Sequence, residues 1–74
     1  MTDVVVDVVS PDNAIVIDSA EQQIFTITDS NGNLIARIGN TTHVEIQVKE
    51  GSYTVSAPLT FTATASQIDW SVIS

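Results

Sequence analysis

Cysteine is absent from this 74-residue chain, and histidine occurs once. Disulfide staples are thereby excluded, and so is a zinc site of the ordinary Cys/His kind, which draws four ligands from those residues. Cations are almost missing as well: Arg37 and Lys49 stand against nine acids, for a formal net charge of −7. Sequence-independent nucleic-acid binding depends on Lys and Arg displacing counterions from phosphates, and attachment to anionic lipid depends on the same cations. Neither partner is expected. No stretch approaches the ~20 apolar residues of a spanning helix. The first residues carry Asp3 and Asp7 and no basic group, so they do not read as a signal peptide. A soluble product made in the cytoplasm is expected, and Asn40-Thr41-Thr42 is then no glycosylation site. Glycine is scarce too: Gly32, Gly39 and Gly51 each sit at a turn signal, and no phosphate-gripping glycine loop exists.

What the chain does contain is β-branched and hydroxylated. Charged residues are 15% and hydrophobic residues 43% of the total; typical soluble domains carry about 25% charge. Thr, Ser and Asn take the place of the missing charge, and they are cheaper to desolvate, which suits contact with other protein. A single domain over 1–74 is near the lower size limit for unaided folding. With disulfides and metal excluded, oligomerisation or docking onto a larger assembly is the expected supplement.

Alternation with period two dominates. Val44, Ile46 and Val48 alternate with polar neighbours, as do Tyr53, Val55 and Ala57, then Leu59, Phe61, Ala63 and Ala65, then Ile68, Trp70 and Val72. Pro58 marks a bend or strand start. The pattern predicts strands at about 3–9, 14–18, 23–29, 34–38, 43–49, 52–57, 59–65 and 67–73, with breaks at Ser10-Pro11-Asp12-Asn13, Ser19-Ala20-Glu21, Gly39-Asn40 and Glu50-Gly51. The expected fold is all-β: a small antiparallel β-sandwich or barrel of seven to eight short strands, with no substantial helix. Asn31-Gly32 is the pair that a two-residue type I′ hairpin favours. That loop sets Ile27 opposite Ala36, Phe25 opposite Ile38, Thr26 opposite Arg37 and Thr28 opposite Ile35.

Two strands break the in/out rule. Val4, Val5, Val6, Val8 and Val9 in the first, and Ile15, Val16 and Ile17 in the second, are apolar on both faces. A short chain has little left to cover the second face, and exposed apolar patches mark interaction sites. These eight residues are the candidate protein interface.

No catalytic constellation is legible. His43 lies on the polar side of its strand, and nothing resembles a nucleophile elbow. Asp29-Ser30-Asn31-Gly32-Asn33 begins like a calcium loop, but glycine falls at position four rather than six and the terminal Glu is missing. No metal or cofactor is expected, and most acids fall at strand ends and turns. The row Thr60, Thr62, Thr64 reads as a solvated strand face. Tyr53 and Trp70 read as core anchors.

Ile27-Thr28-Asp29-Ser30-Asn31-Gly32-Asn33-Leu34, followed by Val48-Lys49-Glu50-Gly51-Ser52-Tyr53-Thr54-Val55, resembles PEGA and carboxypeptidase-regulatory-like modules, small sandwiches similar to transthyretin. There a D-x-x-G hairpin precedes an aliphatic-x-x-G-x-Y-x-V strand. The resemblance spans about residues 24–57 and implies a non-catalytic binding or spacer domain. By type, a free-standing acidic, Thr-rich β module is also similar to phage accessory proteins such as capsid decoration and tail-fibre pieces. The expectation is a non-enzymatic structural protein of a virion, joined to copies of itself or to a shell through apolar strands. A small acidic inhibitor of a host enzyme and a PEGA-like ligand-binding module are the alternatives.

Overall fold

The alternation is realised as a single antiparallel sheet. The structure, a computed structural model, describes residues 1–70. It contains β1 (Thr2–Val8), β2 (Ala14–Asp29), β3 (Leu34–Gln47), β4 (Gly51–Ala57) and β5 (Thr62–Ser66). The described residues hold no helix long and apolar enough to cross a membrane. Among the described residues five strands stand where seven or eight are predicted, because 14–18 and 23–29 are one strand, as are 34–38 and 43–49. Ser19-Ala20-Glu21 and Gly39-Asn40, read as breaks, lie inside strands. The β2–β3 ladder runs on past them with register shifts between Asp18 and Gln23 and between Gln23 and Phe25. Such irregularities bend and twist a sheet without ending it. The strand predicted at 59–65 begins at Thr62. Of the strand predicted at 67–73, residues 67–69 carry no strand, Trp70 lies in a 3-10 turn, and the remainder falls outside the described residues.

Length requires the bend. Sixteen residues at about 3.3 Å each would extend about 50 Å if straight, whereas the longest dimension of the molecule is 31 Å. The first half of β2 is flanked by β3 and β5, and the second half by β3 and β4, with β1 beyond β4. Both halves send side chains into one core, whose largest fully buried members are Phe25, Ile15, Ile17, Ile27, Val8 and Val55. Phe25 meets Phe61 edge-to-face, with ring centroids 5.4 Å apart. Tyr53 is buried, and its hydroxyl donates to the Lys49 carbonyl at 2.8 Å. Trp70 is only half-buried and stands outside this core, contrary to the anchor role expected of it.

The first hairpin keeps the predicted register away from its tip. Ile27 pairs with Ala36, Phe25 with Ile38 and Thr26 with Arg37. The tip itself differs. Gly32 alone has positive φ, at 83°, and no non-glycine residue does, so a type I′ turn is ruled out. The Gly32 N–H donates to the Asp29 carbonyl and the Asp29 N–H to the Asn33 carbonyl. This is the three-residue loop built on a type I turn with a left-handed glycine. Thr28 consequently pairs with Leu34 rather than Ile35, and a bulge after it restores the expected partners. The Asp29 carboxylate selects this loop by accepting from the Asn31 and Asn33 amides, each at 2.9 Å.

Two side-chain amides hold the chain after β4 in place. Gln23 is buried; it accepts from the Leu59 N–H at 2.7 Å and donates to the Leu59 carbonyl at 3.3 Å. Asn13 does the same for Ile68, at 2.8 Å in both directions. Each amide imitates one rung of a ladder where no strand lies alongside. Gln23→Leu keeps the bulk and removes both bonds, leaving the Leu59 peptide groups unpaired, at a cost of about 1–3 kcal/mol. Urea unfolding together with amide exchange at Leu59 checks this; a change under about 0.5 kcal/mol would contradict the clamp.

Candidate interaction surface

The register fixes which residues share the outer face of the β1-β4-β2-β3 half, because directly opposed residues in antiparallel strands point the same way. Val4, Val55, Ile27 and Ala36 form one inward row. The next row points outward: Asp3, Ser56, Thr26 and Arg37, one from each strand. Val5, Thr54, Thr28 and the bulged pair Leu34 and Ile35 make the adjoining outward row. Ser52 and Asp7 lie beyond, joined by a 2.9 Å hydrogen bond from the Ser52 hydroxyl. At the other end Met1, Ile24 and Pro58 line a shallow groove of about 220 Å³ with Thr26, Arg37 and Ser56. Ile24 lies directly over Gly39, where an added Cβ would come within 2.5 Å of it.

Apolar exposure concentrates here. Among the described residues, the large hydrophobic ones left exposed are Met1, Val5, Val9, Ile24, Leu34, Ile35 and Leu59. Five of those seven, all but Val9 and Leu59, belong to this face. Its centre is made of small half-buried hydroxyl residues, Ser52, Thr54, Ser56, Thr26 and Thr28. Of the nine acids only Asp3 and Asp7 are on it, together with Arg37, so the face carries −1 of the chain's −7. Arg37 makes no ion pair among the described residues.

The eight valines and isoleucines picked from the sequence divide accordingly. Val6, Val8, Ile15 and Ile17 are core residues at 4%, 1%, 0% and 0% exposure, so they are withdrawn from the candidate interface. The folded sheet covers what alternation left uncovered, because β1 and β2 both pack into the shared interior. Val4 is half-buried against the core and Val16 is half-buried on the outer side of the other sheet half. Only Val5, at 65%, and Val9, at 63%, present substantial surface, and only Val5 is on the apolar face. Missed by sequence reasoning were Ile24, Leu34 and Ile35. Each had been given to a strand, but without the bulge at the hairpin tip the exposure of Leu34 and Ile35 together has no signal.

The opposite sheet half shows a polar exterior. Thr62 and Thr64 face outward on β5 and are exposed, as the threonine row predicted. His43 pairs across the ladder with Asp18. Its Nδ1 lies 2.6 Å from Asp18 Oδ1 and its Nε2 2.8 Å from Glu45 Oε2. With each ring nitrogen engaged by a carboxylate, His43 has none free to take a proton from a serine or threonine. The hydrogen bond with Asp18, followed by that with Glu45, raises the His43 pKa above its ordinary value. This interaction therefore stabilises the fold below about pH 6.5 and loses its contribution as pH climbs through the raised folded-state value. An NMR titration should place the His43 midpoint above about 6.5 and Asp18→Asn should bring it down; an unshifted wild-type midpoint would refute the bridge. The Asp29 carboxyl, by contrast, is held below its usual range, chiefly by the Asn33 backbone amide.

Among the described residues no group of three His, Cys, Asp or Glu side chains is placed to hold a metal ion. On this opposite half an open depression of about 410 Å³ lies between Asp18, Ser19 and Ala20 of β2 and the segment Thr60, Phe61 and Thr62. Four of its six lining residues are polar, and the Thr62 hydroxyl is turned back onto the Asp18 carbonyl at 3.5 Å. Fold and surface thus define a small antiparallel all-β domain with a nearly neutral, apolar-rimmed sheet face. Comparison with protein families, curated proteins and solved structures finds no match.

Proposed function

We propose that this chain is a non-catalytic structural protein that takes its place in a protein assembly, of the virion accessory type, by burying the outer face of the β1-β4-β2-β3 half. The observation that carries this reading is the gathering, among the described residues, of five of the seven exposed large hydrophobics on a face holding −1 of the −7 charge. A chain with so many acids has no shortage of solubilising groups, and their sparing from this one face matches the depletion of charge at interface centres. Serine and threonine at the centre lose little side-chain entropy when covered. Nucleic acid and anionic lipid do not suit the charge; another protein surface does.

The test is quantitative mass spectrometry of purified particles from the source. The chain is expected at a copy number comparable with the shell or tail subunits, with retention at high salt because apolar burial dominates. Val5→Asp is expected to be lost from the particles, whereas Thr64→Asp, on the other sheet half, is expected to remain. Absence of the wild-type chain from particles, or unaltered incorporation of Val5→Asp, would overturn the proposal. Binding that vanishes at moderate salt would point instead to charge-driven docking on a basic site, as the inhibitor alternative requires.

A further inference from the structure

The interaction face taken from that reading has an internal symmetry that names its occupant. We infer that it is a two-fold homodimer interface, in which a second copy lies face to face with its strands aligned and places β1 over β3. Asp3, Ser56, Thr26 and Arg37 form a row across four strands, with the acid on one edge and the base on the other. A two-fold axis lying between the sheets, parallel to the strands and midway between β4 and β2, maps each edge onto the opposite edge. Arg37 of each copy then lies over Asp3 of the other, so two charge pairs form from one unpartnered guanidinium and one exposed carboxylate per chain.

The same operation matches the rows on either side. Val5 falls on Leu34 and Ile35, Thr54 on Thr28, Ser56 on Thr26, and Pro58 on Ile24. Apolar groups meet apolar groups, and hydroxyls meet hydroxyls. Asp7, the other acid of the face, is already bonded to Ser52. A two-fold axis perpendicular to the strands does worse: it sets Asp3 on Val5 and Arg37 on Ile35, charge against hydrocarbon, which is penalised on burial. The aligned solution is also the ordinary packing of twisted sheets, at about −30° between strand directions. Four strands at about 4.8 Å and seven residues at about 3.3 Å give a footprint of about 400 Å² per copy. That is about 800 Å² in total, short of the roughly 1,200 Å² of a stable specific interface and in the class of weak, transient contacts, so a weak and readily reversible dimer is expected.

Sedimentation equilibrium of the full chain between about 10 µM and 1 mM tests the assignment at the concentrations that this weak affinity requires. Wild type should dimerise reversibly, and about 0.5 M salt should weaken it a few-fold by screening the two pairs. Asp3→Arg alone and Arg37→Asp alone each create two like-charge contacts and should weaken the dimer about tenfold or more. The double exchange restores opposite charges and should return the affinity to within about threefold of wild type. Circular dichroism of all four chains establishes that they are folded. A wild type monomeric at 1 mM, or a double exchange no better than the single ones, overturns the homodimer. A monomeric wild type whose Val5→Asp variant is lost from particles would leave the structural reading standing and assign the face to a different protein. A dimer with rescue by the double exchange, in a chain absent from particles, would do the reverse.

Discussion

Phe25→Ala is expected to abolish the cooperative unfolding transition of this domain at room temperature. Phe25 is the largest fully buried side chain and stands edge-to-face with Phe61 at 5.4 Å. It also belongs to the core that the two sheet halves share, in one cluster with Ile27 of the second half of β2 and Ile17 of the first half. Truncating a buried phenylalanine costs about 3–5 kcal/mol, from lost transfer energy and the cavity left behind. Single cores of this size rarely supply more than about 3–5 kcal/mol in total. The deficit and the whole stability are thus equal in magnitude, and no disulfide or metal stands in reserve. Phe25→Leu, which keeps most of the volume, should lose roughly 1–2 kcal/mol and still melt cooperatively. Thermal and urea unfolding followed by circular dichroism decides the matter; a cooperative Phe25→Ala transition within about 1 kcal/mol of wild type would show that the corner of the sheet is not held from inside.

The same corner explains what was legible in the sequence and what was not. Residue pattern is a local property, and alternation, with the valine and isoleucine runs of 3–9 and 14–18, located every segment that became a described strand. Continuity is not local. Ser19-Ala20-Glu21 and Gly39-Asn40 carry small and polar residues because a bend needs them, but a loop needs them too. Only the opposing strand decides which it is, and here β2 and β3 bend together, with Ile24 of one packed onto Gly39 of the other. At the hairpin tip the competition ran between two turns that both use Asn-Gly. The Asp29 carboxylate tipped it toward the longer loop by accepting two backbone amides. Gln23 and Asn13 were invisible for a related reason: their partners lie 36 and 55 residues away.

The interface reading illustrates a further limit. A strand that is apolar on both faces is evidence of two covered sides, but the cover can come from within the chain. For β1 the inward row, Val4, Val6 and Val8, joins the core, while Val5 stays out. The residues that complete the exposed patch come from β2 and β3, and they meet Val5 only because β4 is inserted between β1 and β2. Strand order, which period-two patterns do not encode, therefore made the candidate surface.

One substitution applied at two positions of β1 separates these roles. Val8→Asp is expected to unfold the domain, and Val5→Asp to leave it folded. Val8 is 1% exposed and Val5 is 65% exposed, on opposite faces of one seven-residue strand. At position 8 the carboxylate would enter an apolar interior that contains no basic side chain, since Arg37, His43 and Lys49 are all exposed. An unpaired buried charge costs several kcal/mol or forces the group to stay protonated, so Val8→Asp should recover some structure only as pH falls below the carboxylate range. At position 5 the carboxylate stays in water. The penalty is repulsion from Asp3 and Asp7 on the same face, together about 1 kcal/mol or less at physiological salt. Circular dichroism at pH 7 and pH 4 reads both chains directly. If Val8→Asp folds at pH 7 with wild-type stability, β1 is not seated on the core and the outer face described here loses its first strand; if Val5→Asp unfolds, its effect on assembly says nothing about an interface.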